Sequence, residues 1–386
     1  MRQLPIRAVF MRGGTSKALI FRAEDLPIDR VDRDRIFVAA IGSPDPNGRQ
    51  LDGMGGGLSS LSKICIVGPP SRADVDLDYT FGQVAIGGAT VDYSGNCGNM
   101  SSAIGPFAVD EGLVAIAGNE AVVRIHNTNT HKIIVARFAI ADGHAVVEGD
   151  FILPGVAGSG APIRLDFLDP GGAGTGKLLP TGNVIDTLVL ADAEKLEVSM
   201  VDAANPCVFV AADDLGITGI EMPDALDRNR DLLDRLEAIR IAASIRMGIA
   251  ASAEAAAAIP SIPKVAMVAQ RQAATTLAGA SLTAEDADIT VRMISIGQPH
   301  RAVPLTGAMC LAVAARLEGS VAHKLARQPA TSDAPIRIAQ PSGLTVVGAS
   351  VHRDRDRWIA DHAAVYRTAR RLMEGVVYVR ASTLFA

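Results

Sequence analysis

The chain has 386 residues, of which 48% are hydrophobic, 20% charged and only 4% aromatic, with a formal net charge of −5. This length allows two domains with well-formed cores, and an acidic balance without any basic run argues against nucleic acid or an anionic membrane as partner. No apolar run approaches the roughly 20 residues of a membrane-spanning helix, and the opening MRQLPIRAVFMRGG carries charges where a signal peptide is apolar.

Short β-like runs recur along the chain, at Ala18–Phe21, Lys63–Val67, Val75–Phe81, Val122–His126, Lys132–Ala136, Ile163–Phe167, Cys207–Val210, Val265–Val268 and Val376–Val379. In the third of these, Val75, Leu77, Tyr79 and Phe81 alternate with polar residues, the pattern of a half-buried strand. Helices are fewer. An apolar run from Met100 to Val109 reads as one. A second is expected over Arg230 to Met247, with Leu232, Leu236, Ile239 and Ala243 on one stripe. A third, Ala251 to Ala258, is Ala-rich and stops at Pro260. Gly- and Pro-rich connections occupy 42–57 and 169–183.

Chemistry is most concentrated at Cys97, which stands between two glycines, Gly95 and Gly98, just before the Met100 helix. A thiol at a helix N-terminus sits in the positive end of the helix dipole, near unpaired N–H groups, and both favour the thiolate. The other three cysteines, Cys65, Cys207 and Cys310, are far apart in sequence and lack metal-ligand spacing. Without an export signal, all four read as reduced thiols of a cytoplasmic protein. The run Gly171 to Lys177 imitates a phosphate-binding loop, but Leu178 stands where a magnesium-binding hydroxyl belongs, and Pro180 breaks the helix that should follow. Nucleotide is therefore not expected.

The two halves of the chain resemble each other. Residues 15–26 match 204–215, residues 62–67 match 263–268 so that Lys63 falls on Lys264, and residues 97–103 lie on 306–312 so that Cys97 falls on Thr306. The offsets, 189, 201 and 209, rise in order, as loop insertions in a duplicated domain would make them.

Longer motifs point to a family. MRGGTSK (11–17), GSPDPNGRQLDGMGG (42–56), SSLSK (59–63), DYTFGQV (78–84), SGNCGN (94–99), LPTGN (179–183), HRA (300–302) and LMEG (372–375) resemble the 2-methylaconitate cis–trans isomerase family, which includes 4-oxalomesaconate tautomerases and methylitaconate Δ-isomerases. The resemblance implies an α+β protein of the diaminopimelate-epimerase-like fold. Such a protein has two pseudo-symmetric lobes, each a curled sheet or barrel around a central helix, with the active site between them. We expect lobes over 1–185 and 186–373, with a strand at about 374–386 returning to the first. The family implies Cys97 and Lys63 as the catalytic pair. Arg12, Thr15, Ser16, Lys17, Ser60, Asn96, Gly98, Asn99, His300, Arg301, Thr306 and Gly307 are the candidates for holding substrate carboxylates.

The position matching the second thiol of an epimerase is Thr306, a poor proton carrier, so a two-thiol racemase is disfavoured. Cys310, one helical turn on, is expected in the core. The implied reaction shifts a double bond in an unsaturated di- or tricarboxylate without cofactor or metal. It requires a base, a group that stabilises the dienolate, and counter-charges for the carboxylates. Segments 155–177 and 300–308 lean toward 4-oxalomesaconate chemistry, which is the expectation, and the 42–53 loop and the DYSGNCGN spelling lean toward 2-methylaconitate cis–trans isomerisation, its alternative as an enzyme. A non-catalytic tricarboxylate-binding accessory protein is the alternative. The partners expected are the small unsaturated acid and, compatible with the same reading, a second copy in a homodimer.

Overall fold

The computed structural model describes residues 3–93, 96–190, 193–295, 297–328, 331 and 334–383. Ser94 and Gly95 of the SGNCGN motif, and residues 384–386 of the expected returning strand, lie outside the described residues. The chain divides into one unit of Met1–Phe167 with Tyr366–Ala386 and a second of Leu168–Val365.

The first unit contains β1 (Gln3–Gly13), β2 (Ser16–Arg22), α1 (Arg30–Ile41), β3 (Lys63–Gly68), β4 (Leu77–Val84), α2 (Gly98–Asp110), β5 (Glu120–Asn127), β6 (Lys132–Ala141) and β7 (Ile163–Leu168). β1 and β2 pair antiparallel, β2 and β3 parallel, β3 and β4 antiparallel, and β4 and β5 parallel. β5 and β6, then β6 and β7, pair antiparallel. The C-terminal strand Ala369–Arg380 closes the unit by running antiparallel along the whole of β1, from Gln3 opposite Arg380 to Gly13 opposite Ala369.

Strand alternation sorts the side chains onto two faces. Leu19, Phe21, Ile64 and Ile66 pack outward against Ile36, Phe37 and Ile41 of α1. That helix starts where the Asp29 carboxylate accepts from the N–H groups of Val31 and Asp32, and it ends at Gly42, whose φ of 86° suits glycine. On the inner face lies α2, buried over every residue from Met100 to Val109.

The second unit repeats this plan. It contains β8 (Lys195–Asp202), β9 (Pro206–Ala211), α3 (Arg230–Arg246), β10 (Lys264–Ala269), β11 (Ile289–Ser295), α4 (Leu305–Ala314), β12 (Ile336–Gln340), β13 (Gly343–Asp354) and β14 (Arg357–Arg367), whose last two residues, Tyr366 and Arg367, belong to the first unit. The pairings from β8 to β14 run antiparallel, parallel, antiparallel, parallel, antiparallel, antiparallel, as in the first unit. Register agrees as well: Ala18 stands opposite Lys63, and its counterpart Cys207 stands opposite Lys264. The expected α3 stripe of Leu232, Leu236, Ile239 and Ala243 packs on Val198, Met200, Val208, Val210, Val265 and Met267. α4, buried from Gly307 to Ala314, takes the place of α2. Each unit is thus a curled sheet on one central helix, the α+β architecture expected.

The division falls after Phe167, where the sequence reading set 185. The connection after β7 is stitched to the second unit's own first strand: Gly171 bridges Ala203, Gly172 donates to the Asp202 carbonyl, and Asp202 donates to that of Leu178. The return begins at Tyr366 instead of about 374, because the whole of Ala369–Arg380 is needed to cover β1. Among the described residues no helix is long and apolar enough to cross a membrane.

Close packing of α2 gives a test. A Cβ on Gly105 would lie 2.7 Å from Cε1 of Phe138 and 3.0 Å from Cβ of Ala136. Gly105→Val is expected to cost on the order of 2–3 kcal/mol through overpacking, read as a fall in melting temperature. An unchanged melting temperature would show that α2 does not pack on β6 as described.

Candidate active site

β3 and β4 are adjacent and antiparallel, with Lys63 opposite Gln83 and Cys65 opposite Phe81. Ile64 and Ile66 are used by the α1 side, so Lys63 and Cys65 face inward, toward the side of α2. Lys63 is only 9% exposed, and its Nζ donates to Oε1 of Gln83 at 2.6 Å and lies 4.9 Å from the centre of the Phe81 ring. The Gln83 amide is fixed from its other end: Nε2 donates to the carbonyls of Ser59 (3.1 Å) and Ser62 (2.9 Å). Behind it, Oγ of Ser62 donates to Oε1 of Gln50 (2.7 Å), and the same oxygen takes the N–H of Gly57 (2.9 Å). The long 42–57 loop thereby braces the strand end that carries Lys63. Among the described residues Lys63 has no carboxylate partner.

Cys97 is the N-cap of α2, with φ −107° and ψ 97°, and its side chain makes no capping bond. Its carbonyl accepts from the N–H of Ser101 (2.9 Å) and from Oγ of Ser101 (3.1 Å). The first turn of α2 holds no acidic residue, so the positive end of the helix is uncompensated there. Cys65 senses both candidate groups. Burial pushes its thiol far up, Cys97 pushes it further, and Lys63 pulls it back. The buried Tyr79 hydroxyl, raised chiefly by burial, also feels Cys65 and Cys97. Lys63 and Cys97 thus lie within electrostatic reach of one buried thiol.

An asparagine network holds the loop before Cys97. Oδ1 of Asn96 accepts from Nδ2 of Asn127 (3.4 Å) and from Oγ of Ser101 (3.3 Å), while Asn129 brackets Phe81 by taking its N–H and donating to its carbonyl, both at 2.8 Å. On the other side, Gly14 turns with φ of 52°, and a Cβ there would lie 2.3 Å from Oδ1 of Asn99. Only glycine lets the β1–β2 turn close on Asn99. Nδ2 of Asn99 donates to Oγ1 of Thr15 (3.0 Å), and Oδ1 accepts from Nε of Arg367 (3.2 Å). Arg367 and Gln83 are site residues that the sequence reading missed. DYTFGQV was quoted only as a family string, and Arg367 stands just outside LMEG.

The other sequence candidates separate by face and by unit. Gly13 and Ser16 pair and face α2, with Ser16 buried, and Thr15 is at the turn. Arg12 and Lys17 pair on the opposite face, away from α2 and Cys97. Nη1 of Arg12 donates to the carbonyls of Gly14 and Thr368, both at 2.9 Å, and Lys17 lies over Phe10. Ser60 is half-buried on the short turn whose neighbour Ser59 anchors Gln83. Gly98 opens α2.

Four candidates belong to the second unit. Arg301 forms an exposed ion pair with Asp224. His300 is drawn down by burial and then by the charge of Lys264, and its buried Nε2 has no hydrogen-bond partner among the described residues. Gly307 approaches Sδ of Met293, and Thr306 lies in the first turn of α4. Cys310 is fully buried, its Sγ 3.3 Å from the Val201 carbonyl. The glycine loop at 171–177 also has its own anion. Asp202 Oδ2 accepts from the N–H of Gly174 (2.8 Å), the N–H of Thr175 (2.6 Å) and Oγ1 of Thr175 (2.8 Å).

Comparison with known proteins follows the same line. The model of the family described as PrpF protein matches residues 3–380. The chain belongs to the PrpF family. It is 41% identical over 99% of both chains to 3-methylitaconate isomerase of Eubacterium barkeri, and 38% identical to 2-methyl-aconitate isomerase of Shewanella oneidensis over 98% of this chain and 97% of that one. To 4-oxalomesaconate tautomerase of Pseudomonas putida it is 36% identical, over 99% and 98% of the two chains. A crystal structure of methylitaconate-delta-isomerase superposes with a TM-score of 0.94 at 40% identity, covering 100% of this chain and 98% of that one. This PrpF protein is an isomerase of unsaturated carboxylic acids.

The Gly14 turn provides a test of how tightly the site is built. Gly14→Ala is expected to cost roughly 1–3 kcal/mol of stability from a non-glycine residue at positive φ, and to lower turnover more than stability alone explains, because it displaces Asn99. Melting and turnover measured on one preparation decide it, and wild-type values for both would refute the close contact.

Proposed function

We propose that the protein shifts a double bond in an unsaturated di- or tricarboxylate by a 1,3-proton transfer, with Cys97 and Lys63 as the groups that handle the proton. The observation that carries this reading is a buried lysine without a carboxylate partner, aimed to the same face as Cys65, whose thiol feels both Lys63 and the α2 N-cap Cys97. Sulfur takes a proton from the carbon next to the double bond. The electron pair left behind spreads through the double bond onto a carboxylate or keto oxygen as a dienolate. A proton delivered two carbons away, returned by the Cys97 thiol or given by the Lys63 ammonium, completes the shift.

Gln83 accepts one of the three N–H bonds of Lys63, which leaves the other two for the developing oxyanion. Water-excluded donors of this kind act in a medium where they are worth more than in bulk water. Thr15, Ser60 and Gly98 are the proposed substrate contacts in this unit, and Asn99 positions its neighbours. Arg12 and Lys17 are left out of the proposal because their register puts them on the sheet face opposite α2.

The acid itself is a choice among the three that the relatives' names offer. The sequence segments at 155–177 and 300–308 favour 4-oxalomesaconate. The 41% identity to a methylitaconate isomerase and the 38% identity to a methylaconitate isomerase favour the other two. Proton NMR in deuterated water on all three acids distinguishes them. Deuterium is expected at the allylic carbons of at least one, and no exchange in any would refute the reading.

Cys97→Ser is expected to abolish most turnover while circular dichroism stays native, since the change is small and serine is a far weaker proton acceptor. Lys63→Met keeps length and removes both charge and proton, and kcat is expected to fall by roughly 10²-fold or more. Near-normal turnover in either variant removes that residue from the mechanism.

A further inference from the structure

We infer that Arg367 is the carboxylate anchor of the Cys97 site, a binding residue for one carboxylate of the unsaturated acid. The inference deepens the proposed function and rests on it. Arg367 closes β14, one residue before Thr368, whose carbonyl accepts from the N–H of Gly14 (2.9 Å) and from Nη1 of Arg12 (2.9 Å). Its backbone is thereby pinned beside the β1–β2 turn. Its guanidinium reaches Asn99, the second residue of α2 and two positions after Cys97.

Three features separate Arg367 from a structural staple. Its partners are neutral: Nε donates to Oδ1 of Asn99 (3.2 Å) and Nη1 to the carbonyl of Tyr366 (2.8 Å). No carboxylate pairs with it among the described residues, whereas Arg371, four residues on, is held by Glu111 and Glu374. Nη2 has no protein partner among the described residues, so one edge of the planar fork is unused. Arginine presents donors in a geometry that matches carboxylate oxygens two at a time.

Burial pulls the guanidinium down to about 10, with no acidic group offsetting it. A half-buried cation without a counter-ion is held at a cost, and an incoming carboxylate relieves it. Asn99 is the positioning residue. Its amide orients Arg367 through oxygen and Thr15 through nitrogen without neutralising either. The α2 N-terminus beside it carries no acid in its first turn, so both local fields have the sign that favours an anion.

The test uses tricarballylate, a saturated tricarboxylate with no double bond to shift. Binding is measured by calorimetry and placed by protection of Cys97 from alkylation by iodoacetamide. Wild type is expected to bind and to be protected. Arg367→Lys should weaken binding about tenfold and Arg367→Gln on the order of 10²-fold, with protection lost in step.

Asn99→Asp is the second variant, and serves if removal of the guanidinium prevents folding. It supplies the missing counter-charge in place and should lose binding although Arg367 is retained. Wild-type affinity in any folded Arg367 variant, wild-type affinity in Asn99→Asp, or no binding to the wild-type protein overturns the assignment. If the wild-type protein binds tricarballylate at Cys97 yet exchanges no proton in the three candidate acids, the proposed isomerisation falls and the anchor stands.

Discussion

Burial of α2 along ten consecutive residues, Met100 to Val109, is the constraint from which the rest of the first unit follows. A helix enclosed by its own sheet has no exposed flank to carry chemistry. Only its ends reach polar surroundings. The N-terminal end does so with a cysteine at the cap and an asparagine in the first turn, and no side chain of either sign competes for the free N–H groups. The cost is that strands must approach the helix closely. Gly13 has room for no Cβ against the Asn99 carbonyl and Met100, and Gly105 has none against Phe138. The sheet that provides this enclosure is held shut by the C-terminal strand along β1, so the start of the returning segment, Thr368 and Ala369, stands beside the β1–β2 turn.

Both cations on this face are held by amides. Gln83 takes Lys63 and Asn99 takes Arg367. Other arginines of the chain pair with acid: Asp288 holds Arg327 and Arg337, Glu111 holds Arg7 and Arg371, and Asp166 holds Arg137 and Arg164, while Arg12 and Arg292 rest on backbone carbonyls. On the proposed reading the difference is one of function. A carboxylate partner orients a cation but also neutralises it, and a carboxylate substrate would then have to displace it. An amide oxygen orients through its dipole and leaves the full charge for the ligand. Such an arrangement is expensive in the empty protein and needs a rigid frame. The three bonds from the Gln83 amide nitrogen and the Gly14–Asn99 contact supply that frame.

Strands rich in β-branched residues, such as Lys63–Val67 and Cys207–Val210, were legible in the sequence because their composition and length agree. The Leu232 to Ala243 stripe was legible because its period is helical. β1 was not assigned, although Leu4, Ile6 and Ala8 alternate, because Pro5 and Arg7 interrupt the run and the strand that pairs with its first half lies more than 350 residues away. α1 escaped because Arg30, Asp32, Arg33, Asp34 and Arg35 crowd its first half, and its apolar residues cluster in the second. In the site, Cys97 and Lys63 stood out through motif strings. Arg12 and Lys17 belong to such a string as well, yet strand alternation turns them away from α2, a fact that needs the register of β1 with β2. Arg367 carries no sequence signal of its own. Its significance comes from the missing acid, and a missing partner is visible only in three dimensions.

Duplication explains why the chain has this form and also where its halves differ. Both units place a lysine at the first position of the third strand of the common plan, and both bury a central helix. Beyond that they diverge. Lys63 is held by a fixed amide and stacked on Phe81, whereas Lys264 donates to the Ser261 carbonyl, is drawn down by burial, and lies close to His300. The cap of α2 is Cys97 and that of α4 is Pro304, so the first helix begins with a proton carrier and the second with a residue that has none. On the proposed reading, a thiol at the α2 cap and a lysine held by an amide suit a proton that leaves one carbon and arrives at another, because the two groups differ in strength and in place.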